Sequence, residues 1–329
     1  MSGPQRADRP PSWREALAVT RRQLLTGAGA AGAASALGQP APASAQRRGR
    51  VVEYWVAAVP ITWNVIPNGR DAIEGRVFDA ADTVMRTVVY RRFTRGWKRP
   101  IAADGMLQAG ITGPFLRGRV GDTIRVHFKN MDTEFRRPHS MHFHGVEYRM
   151  ESDGAFIPGF SGRGADVKPG EQYTYTLRAG PDSAGIWPYH DHSPSMHDSI
   201  MGGMYGALSI AAPGERPPDR EFLVFFGTQL TFMTVNGRAF VGNTPVFRAR
   251  VGDRVRFNVL AIGDEFHTFH IHGHRWRAPD GTSIDTRVIG PAESVALSFI
   301  EDAPGTWPYH CHVESHMLNG MIGVYRVSR

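Results

Sequence analysis

The chain has 329 residues, of which 41% are hydrophobic and 21% charged, a balance that excludes a disordered or fibrous protein. The formal net charge of +7 falls to +4 without the first 46 residues, because 38 basic and 31 acidic residues become 33 and 29; the arginines are scattered, so no nucleic-acid-binding stripe is expected. The absence of a long, strongly apolar run argues against a membrane span, and the single cysteine rules out an intramolecular disulfide or a Cys-cluster zinc site.

The first element is an address. Thr20-Arg21-Arg22-Gln23-Leu24-Leu25 sets paired arginines before a weakly apolar Ala/Gly run, and Ala43-Ser44-Ala45 offers an A-x-A cleavage site. Residues 1–45 read as a twin-arginine export signal, which implies a periplasmic or extracellular protein that folds before export. From residue 46 to 212, short alternating runs such as 123–128 and 173–177 are set between turn signals like Val120-Gly121-Asp122. Residues 213–219, rich in Pro, Gly and charge, read as a linker. The pattern resumes over 220–329, with runs at 254–259, after Val251-Gly252-Asp253, and at 295–299. With 37 glycines and 23 prolines and no long 3.6-residue periodicity, the expected class is all-β, as two tandem antiparallel β-sandwich domains.

The two halves are one unit written twice. Pro114-Phe115-Leu116-Arg117-Gly118-Arg119-Val120-Gly121-Asp122 lies over Pro245-Val246-Phe247-Arg248-Ala249-Arg250-Val251-Gly252-Asp253. In the same order, His139, His142, His144 and Gly145 lie over His267, His270, His272 and Gly273. Trp187, His190, Asp191 and His192 lie over Trp307, His310, Cys311 and His312, and Gly203-Met204 over Gly320-Met321.

The histidine spacing carries the chemistry. Residues two apart on a strand share a face. His142/His144, His190/His192, His270/His272 and His310/His312 are four such pairs, which suits a multinuclear metal cluster. Cys311 points away from His310 and His312, and His267 away from His270, so Cys311, His267 and His316 are expected to form a second site. Two imidazoles and a thiolate with a weak axial Met, here Met321, make a blue-copper electron-transfer centre, and the donor types favour copper over harder ions.

This series of His-x-His pairs, ending in His310-Cys311-His312, His316 and Met321, resembles the copper signature of multicopper oxidases. The length and the lone second-domain cysteine resemble the small two-domain bacterial laccases, over roughly residues 50–329. The resemblance implies cupredoxin-like Greek-key domains and four copper ions per functional unit. Type 1 copper would sit on His267, Cys311, His316 and Met321, and type 2 on His142 and His270. The type 3 pair would sit on His144, His190, His192, His272, His310 and His312. It implies one-electron oxidation of phenols or aromatic amines at type 1 copper, coupled to four-electron reduction of O2 to water. It also implies a homotrimer in which neighbouring chains share each cluster.

Asp153 and Tyr148 match residues near the cluster in small laccases, and Glu314 sits where several family members place a carboxylate. All three are candidates for proton or electron supply. Asp191 replaces the cysteine in the first half, so no blue copper is expected there, and His139, His197 and Met204 read as packing residues or a relict. His127 and His274 carry no assigned role. Alternatives are a metal-ion oxidase (cuprous, ferrous or manganous) on the same scaffold, a copper nitrite reductase, and a non-catalytic copper carrier. The eight paired histidines and the second-domain cysteine disfavour the last two.

Overall fold

The computed structural model describes residues 49–102, 110–278 and 280–329; the expected export signal lies outside the described residues. The regular structure of the described chain is mostly strand, and its α-helices are only the short segments Ala80–Thr83, Met196–Met201 and Glu314–Leu318.

Two sandwiches repeat one topology. In the first, a sheet in the order Val84–Phe93, Val51–Asn64, Thr123–Asn130, Gln172–Arg178 faces a sheet in the order Leu116–Arg119, Tyr205–Ala211, Gly185–His190, His142–Phe143. In the second, Phe232–Val235, Arg220–Gln229, Arg254–Ala261, Ser294–Ile300 faces Val246–Arg250, Ile322–Ser328, Gly305–Cys311, His267–Ile271, Thr286–Ile289. Each sandwich closes its sheets with two parallel pairings, Val51–Asn64 with Thr123–Asn130 and Leu116–Arg119 with Tyr205–Ala211 in the first. Arg220–Gln229 with Arg254–Ala261 and Val246–Arg250 with Ile322–Ser328 do the same in the second. The duplication seen in the motifs is thus a duplication of strand order.

The alternation expected of residues 123–128 is visible in burial. Ile124, Val126 and Phe128 are fully buried, whereas Arg125 is exposed. Together with Tyr54, Tyr90, Tyr175 and Tyr189 they fill the first core. Phe222, Phe247, Phe257, Phe269 and Tyr325 fill the second. A third apolar core joins the sandwiches, built from Val89, Ile111, Phe115, Ile186 and Tyr205 on one side and Leu223, Phe225, Leu260 and Ile262 on the other.

A segment of the first half, residues 65–78, reaches across to the second. Val65, Ile66 and Phe78 pack on Phe232, Ala239 and Phe240. Arg76 donates to the Leu318 carbonyl at 2.7 Å and is held by Asp71 at 3.0 Å. The segment therefore buttresses the C-terminal end of the helix Glu314–Leu318.

Candidate metal centres

Strand pairing sets two faces. In the ladder between His267–Ile271 and Gly305–Cys311, Phe269 stands opposite Cys311 and His270 opposite His310. Residues opposite each other share a face, so His267, two before Phe269, joins Cys311, while His270 joins His310.

On the inward face, His267, Cys311 and His316 bring one donor atom each within 4.8 Å of one another, all buried. The two Nδ1 atoms are 3.2 Å apart, and the Cys311 Sγ lies 4.0 Å from that of His267 and 3.7 Å from that of His316. The Thr268 N–H points at the sulfur from 3.3 Å. His316 rides on the helix Glu314–Leu318, and the turn beyond it returns the fully buried Met321 to the core. There the Met321 N–H donates to the His316 carbonyl at 3.0 Å and its carbonyl accepts from Cys311 at 3.1 Å. Burial, reinforced by His316, pushes His267 down to about 4. Burial also lowers His316, outweighing the opposite pull of Glu265. Both rings are therefore neutral near pH 7, and a pocket of two imidazole lone pairs and a soft sulfur fits copper.

On the outward faces stand two histidine quartets. His142, His144 and His190 converge within 4.8 Å, as do His270, His272 and His310. His192 and His312 complete them, with ring centroids 5.4 Å from His142 and 5.3 Å from His270. Nε2 of His144 faces Nε2 of His190 at 3.2 Å, and the His272–His310 pair repeats this at 3.1 Å.

The remaining nitrogens explain why these rings fit a metal. His142 Nδ1 donates to the Asp153 carbonyl at 2.7 Å, and His270 Nδ1 to the Asp285 carbonyl at 2.8 Å. His190 and His310 donate to the carbonyls of Asp191 at 3.0 Å and Cys311 at 2.9 Å. A carbonyl only accepts, so Nδ1 carries the hydrogen and the Nε2 lone pair is presented to the shared space. Burial first, then the neighbouring imidazoles, pushes His144 down to about 4. Burial likewise takes His190 to about 4, against the bond to the Asp191 carbonyl. Among the described residues, no imidazole of one quartet neighbours an imidazole of the other. His272 and His312 are exposed, whereas His142, His144 and His192 are half-buried.

The carboxylate candidates separate. Asp153 lies at the first quartet, its Oδ1 3.5 Å from His142 Nδ1. The Tyr148 ring is 6.0 Å from that of His142, and burial together with Asp153 raises its hydroxyl pKa. Glu314 opens the helix that carries His316 and is exposed, and no hydrogen bond or ion pair joins it to either quartet among the described residues.

In the first half, the position of Cys311 is taken by a charged cluster. His139 is buried between Asp132 at 3.3 Å and Asp191 at 3.7 Å. Burial alone would raise the Asp191 carboxyl, but bonds from His139, Ser140 and Ser193 outweigh it and hold the group below its usual range. Met204 is fully buried and His197 is exposed on the helix Met196–Met201. The repeat alignment sets His139 and Asp191 at the positions of His267 and Cys311, whereas Asp132 had no signal in the motifs.

Two family models, both described as multicopper oxidase, match consecutive stretches of the chain, residues 101–215 and 215–329. The chain belongs to the multicopper oxidase family. These enzymes are oxidoreductases, and the family implies copper for the donor sets above. A probable nitrite reductase-hydroxylamine oxidoreductase fusion protein of Kuenenia stuttgartiensis is 32% identical to this multicopper oxidase over 241 residues, covering 66% of it and 27% of the relative. Human Ferroxidase HEPHL1 is 28% identical over 342 residues, covering 83% and 29% respectively. Human ceruloplasmin is also 28% identical over 342 residues, covering 83% and 30%. The chain thus spans less than a third of the length of these curated relatives. A crystal structure of a multicopper oxidase superposes with a TM-score of 0.65 at 25% identity, over 85% of this chain and 93% of that one. A copper nitrite reductase from Nitrosomonas europaea, 21% identical with a TM-score of 0.63 over 85% and 94%, shares the fold.

Proposed function

We propose that this multicopper oxidase is a laccase-type enzyme, oxidising phenols and aromatic amines one electron at a time and reducing O2 to water. The observation that carries the reading is the pairing, in one chain, of a buried thiol–bis-imidazole site with eight outward imidazoles in two quartets. His267, Cys311, His316 and Met321 would hold type 1 copper, and His142 and His270 type 2. His144, His190, His192, His272, His310 and His312 would hold the type 3 pair. Four coppers in all would supply reversible one-electron chemistry at both ends of the reaction.

The chain's own residues divide the remaining work. Cys311 stands directly between His310 and His312, so the donor end and the oxygen end are joined by adjacent residues of one strand. Each quartet is half of an eight-histidine set, and the two are not neighbours within the chain. This supports a cluster completed between copies, as a head-to-tail contact that closes into a homotrimer. Export by the twin-arginine route, to the periplasm or beyond, belongs to the same reading.

Asp153 is assigned to proton supply at the oxygen end. Its backbone carbonyl, not its carboxylate, accepts from His142 at 2.7 Å, so Asp153→Asn leaves that bond in place while removing the titratable group. The expected result is an oxygen-consuming half-reaction slowed by roughly 10²-fold, with donor oxidation at type 1 copper unchanged. Stopped-flow measurement of the two half-reactions checks this; slowing of the donor half alone would place Asp153 elsewhere.

A metal-ion oxidase is the second reading. It is favoured by Glu265, whose charge reaches His316, and by relatives named as ferroxidases. Oxygen uptake by the copper-loaded protein separates the readings. The expected result is uptake driven by a phenolic donor, with added nitrite left unconsumed. Uptake with ferrous or cuprous ion but not with phenols would replace laccase by metal-ion oxidase, and consumption of nitrite would overturn both.

A further inference from the structure

Immediately after His272 the chain turns back. Gly273 sits at φ 72°, in the left-handed region, and a Cβ there would meet the Trp307 ring at 2.8 Å. The turn throws His274 into the second sandwich, against Phe299, Trp307 and Tyr325, with ring centroids at 5.4, 5.6 and 5.5 Å. From there His274 Nδ1 donates back to the His272 carbonyl at 2.7 Å. Its Nε2 meets both carboxylate oxygens of Glu301 at 3.2 Å. Glu301, only 1% exposed, also accepts the Tyr325 hydroxyl and the Ala303 N–H, the latter at 3.0 Å.

We propose that Glu301, His274 and Tyr325 are positioning residues that fix the His272 carbonyl and so aim the His272 imidazole. This rests on the reading of His272 as a cluster ligand. Two further observations support it. The fold itself does not require the network, because the first half makes the same turn without it. There Gly145 is also at φ 72° against Trp187, and the matching positions are Val146, Ala179 and Leu208. The matches are structural. Ala179 exchanges backbone bonds with Gly121 and Asp122 as Glu301 does with Gly252 and Asp253. Leu208 pairs with Trp187 as Tyr325 does with Trp307. Moreover, His272 is exposed where its counterpart His144 is half-buried. A ligand that its own chain's packing does not hold before the copies meet needs its backbone held instead, and a buried carboxylate is retained only when fully bonded.

The test uses the full-length, copper-loaded protein. Glu301→Gln keeps the shape but removes the carboxylate that receives His274 Nε2 and the Tyr325 hydroxyl. The triple variant His274→Val, Glu301→Ala, Tyr325→Leu installs the residues found at the matching positions of the first half, and the melting transition of the metal-free chain shows that it folds. The readouts are copper retention against a chelator, the absorption and paramagnetic spectra of the histidine-bound copper, the blue band, and the melting temperature of the metal-free chain. Both variants are expected to weaken retention of histidine-bound copper by roughly 10- to 100-fold and to alter its spectrum, while the blue band stays as in the parent and the metal-free chain, though less stable, still unfolds in one transition well above the assay temperature. Parent-like retention and spectrum, or parallel loss of the blue band, would overturn the positioning role. His272→Ala is the control: undiminished copper content there would mean that the ligand reading itself has failed.

Discussion

With Cys311 replaced by serine, the copper-loaded protein is expected to lose its blue absorption and its donor oxidation together, while the histidine quartets keep their copper. Cys311 is fully buried and is the only cysteine of the chain. A thiol deprotonates readily onto a soft metal, whereas a serine hydroxyl stays protonated at neutral pH, so the charge-transfer partner disappears. Serine is nearly isosteric, and the Thr268 N–H that points at Sγ from 3.3 Å can point at the hydroxyl instead, so the core is retained. Absorption and paramagnetic spectra, with donor turnover on the same sample, check the outcome. A surviving blue band would remove Cys311 from the type 1 site.

Two inactive variants are expected to restore one another. One carries His142→Ala and His144→Ala, the other His270→Ala and His272→Ala. Alone, each has lost two of the eight histidines of every cluster and should turn over donor at background rate. If a cluster is completed by the first half of one copy and the second half of its neighbour, a co-expressed mixture contains contacts where both halves are intact. Random assembly in equal amounts makes that about a quarter of the contacts, and activity should recover to about that fraction of the parent. A cluster closed within one chain could not be rescued, because every chain in the mixture is defective. Failure to recover, in a mixture shown to be co-assembled, would therefore overturn the shared-cluster reading.

The part of the site legible in the sequence is the part governed by strand parity. The period of two put His270 with His310, His267 with Cys311, and Cys311 opposite to both of its neighbours, because strand side chains alternate without exception while the strand runs straight. Where the strand stops, parity stops. His274 continues the spacing of His270 and His272, and a straight strand would add it to the quartet. The left-handed Gly273 instead turns it inward to Glu301. Glu301 itself, beside Asp302 at the end of a strand, looks like surface charge in one dimension. Asp191 is likewise far in the chain from Asp132 and His139, and the three meet only once the strands have paired. The two sandwiches were legible for the same reason as the histidine faces, since each motif recurs in order; the contact between them was not, because Phe225 or Leu260 is apolar whether it faces its own sandwich or the other.

That contact ties the fates of the two halves. Val89, Phe115, Ile186 and Tyr205 are buried against Leu223, Phe225, Leu260 and Ile262, and separating the halves would expose all of them to water at a cost that neither small core can carry alone. The repeats are therefore one cooperative body. Heating should unfold both in a single step, and the thiol site and the two quartets, although chemically distinct, should be lost at one temperature.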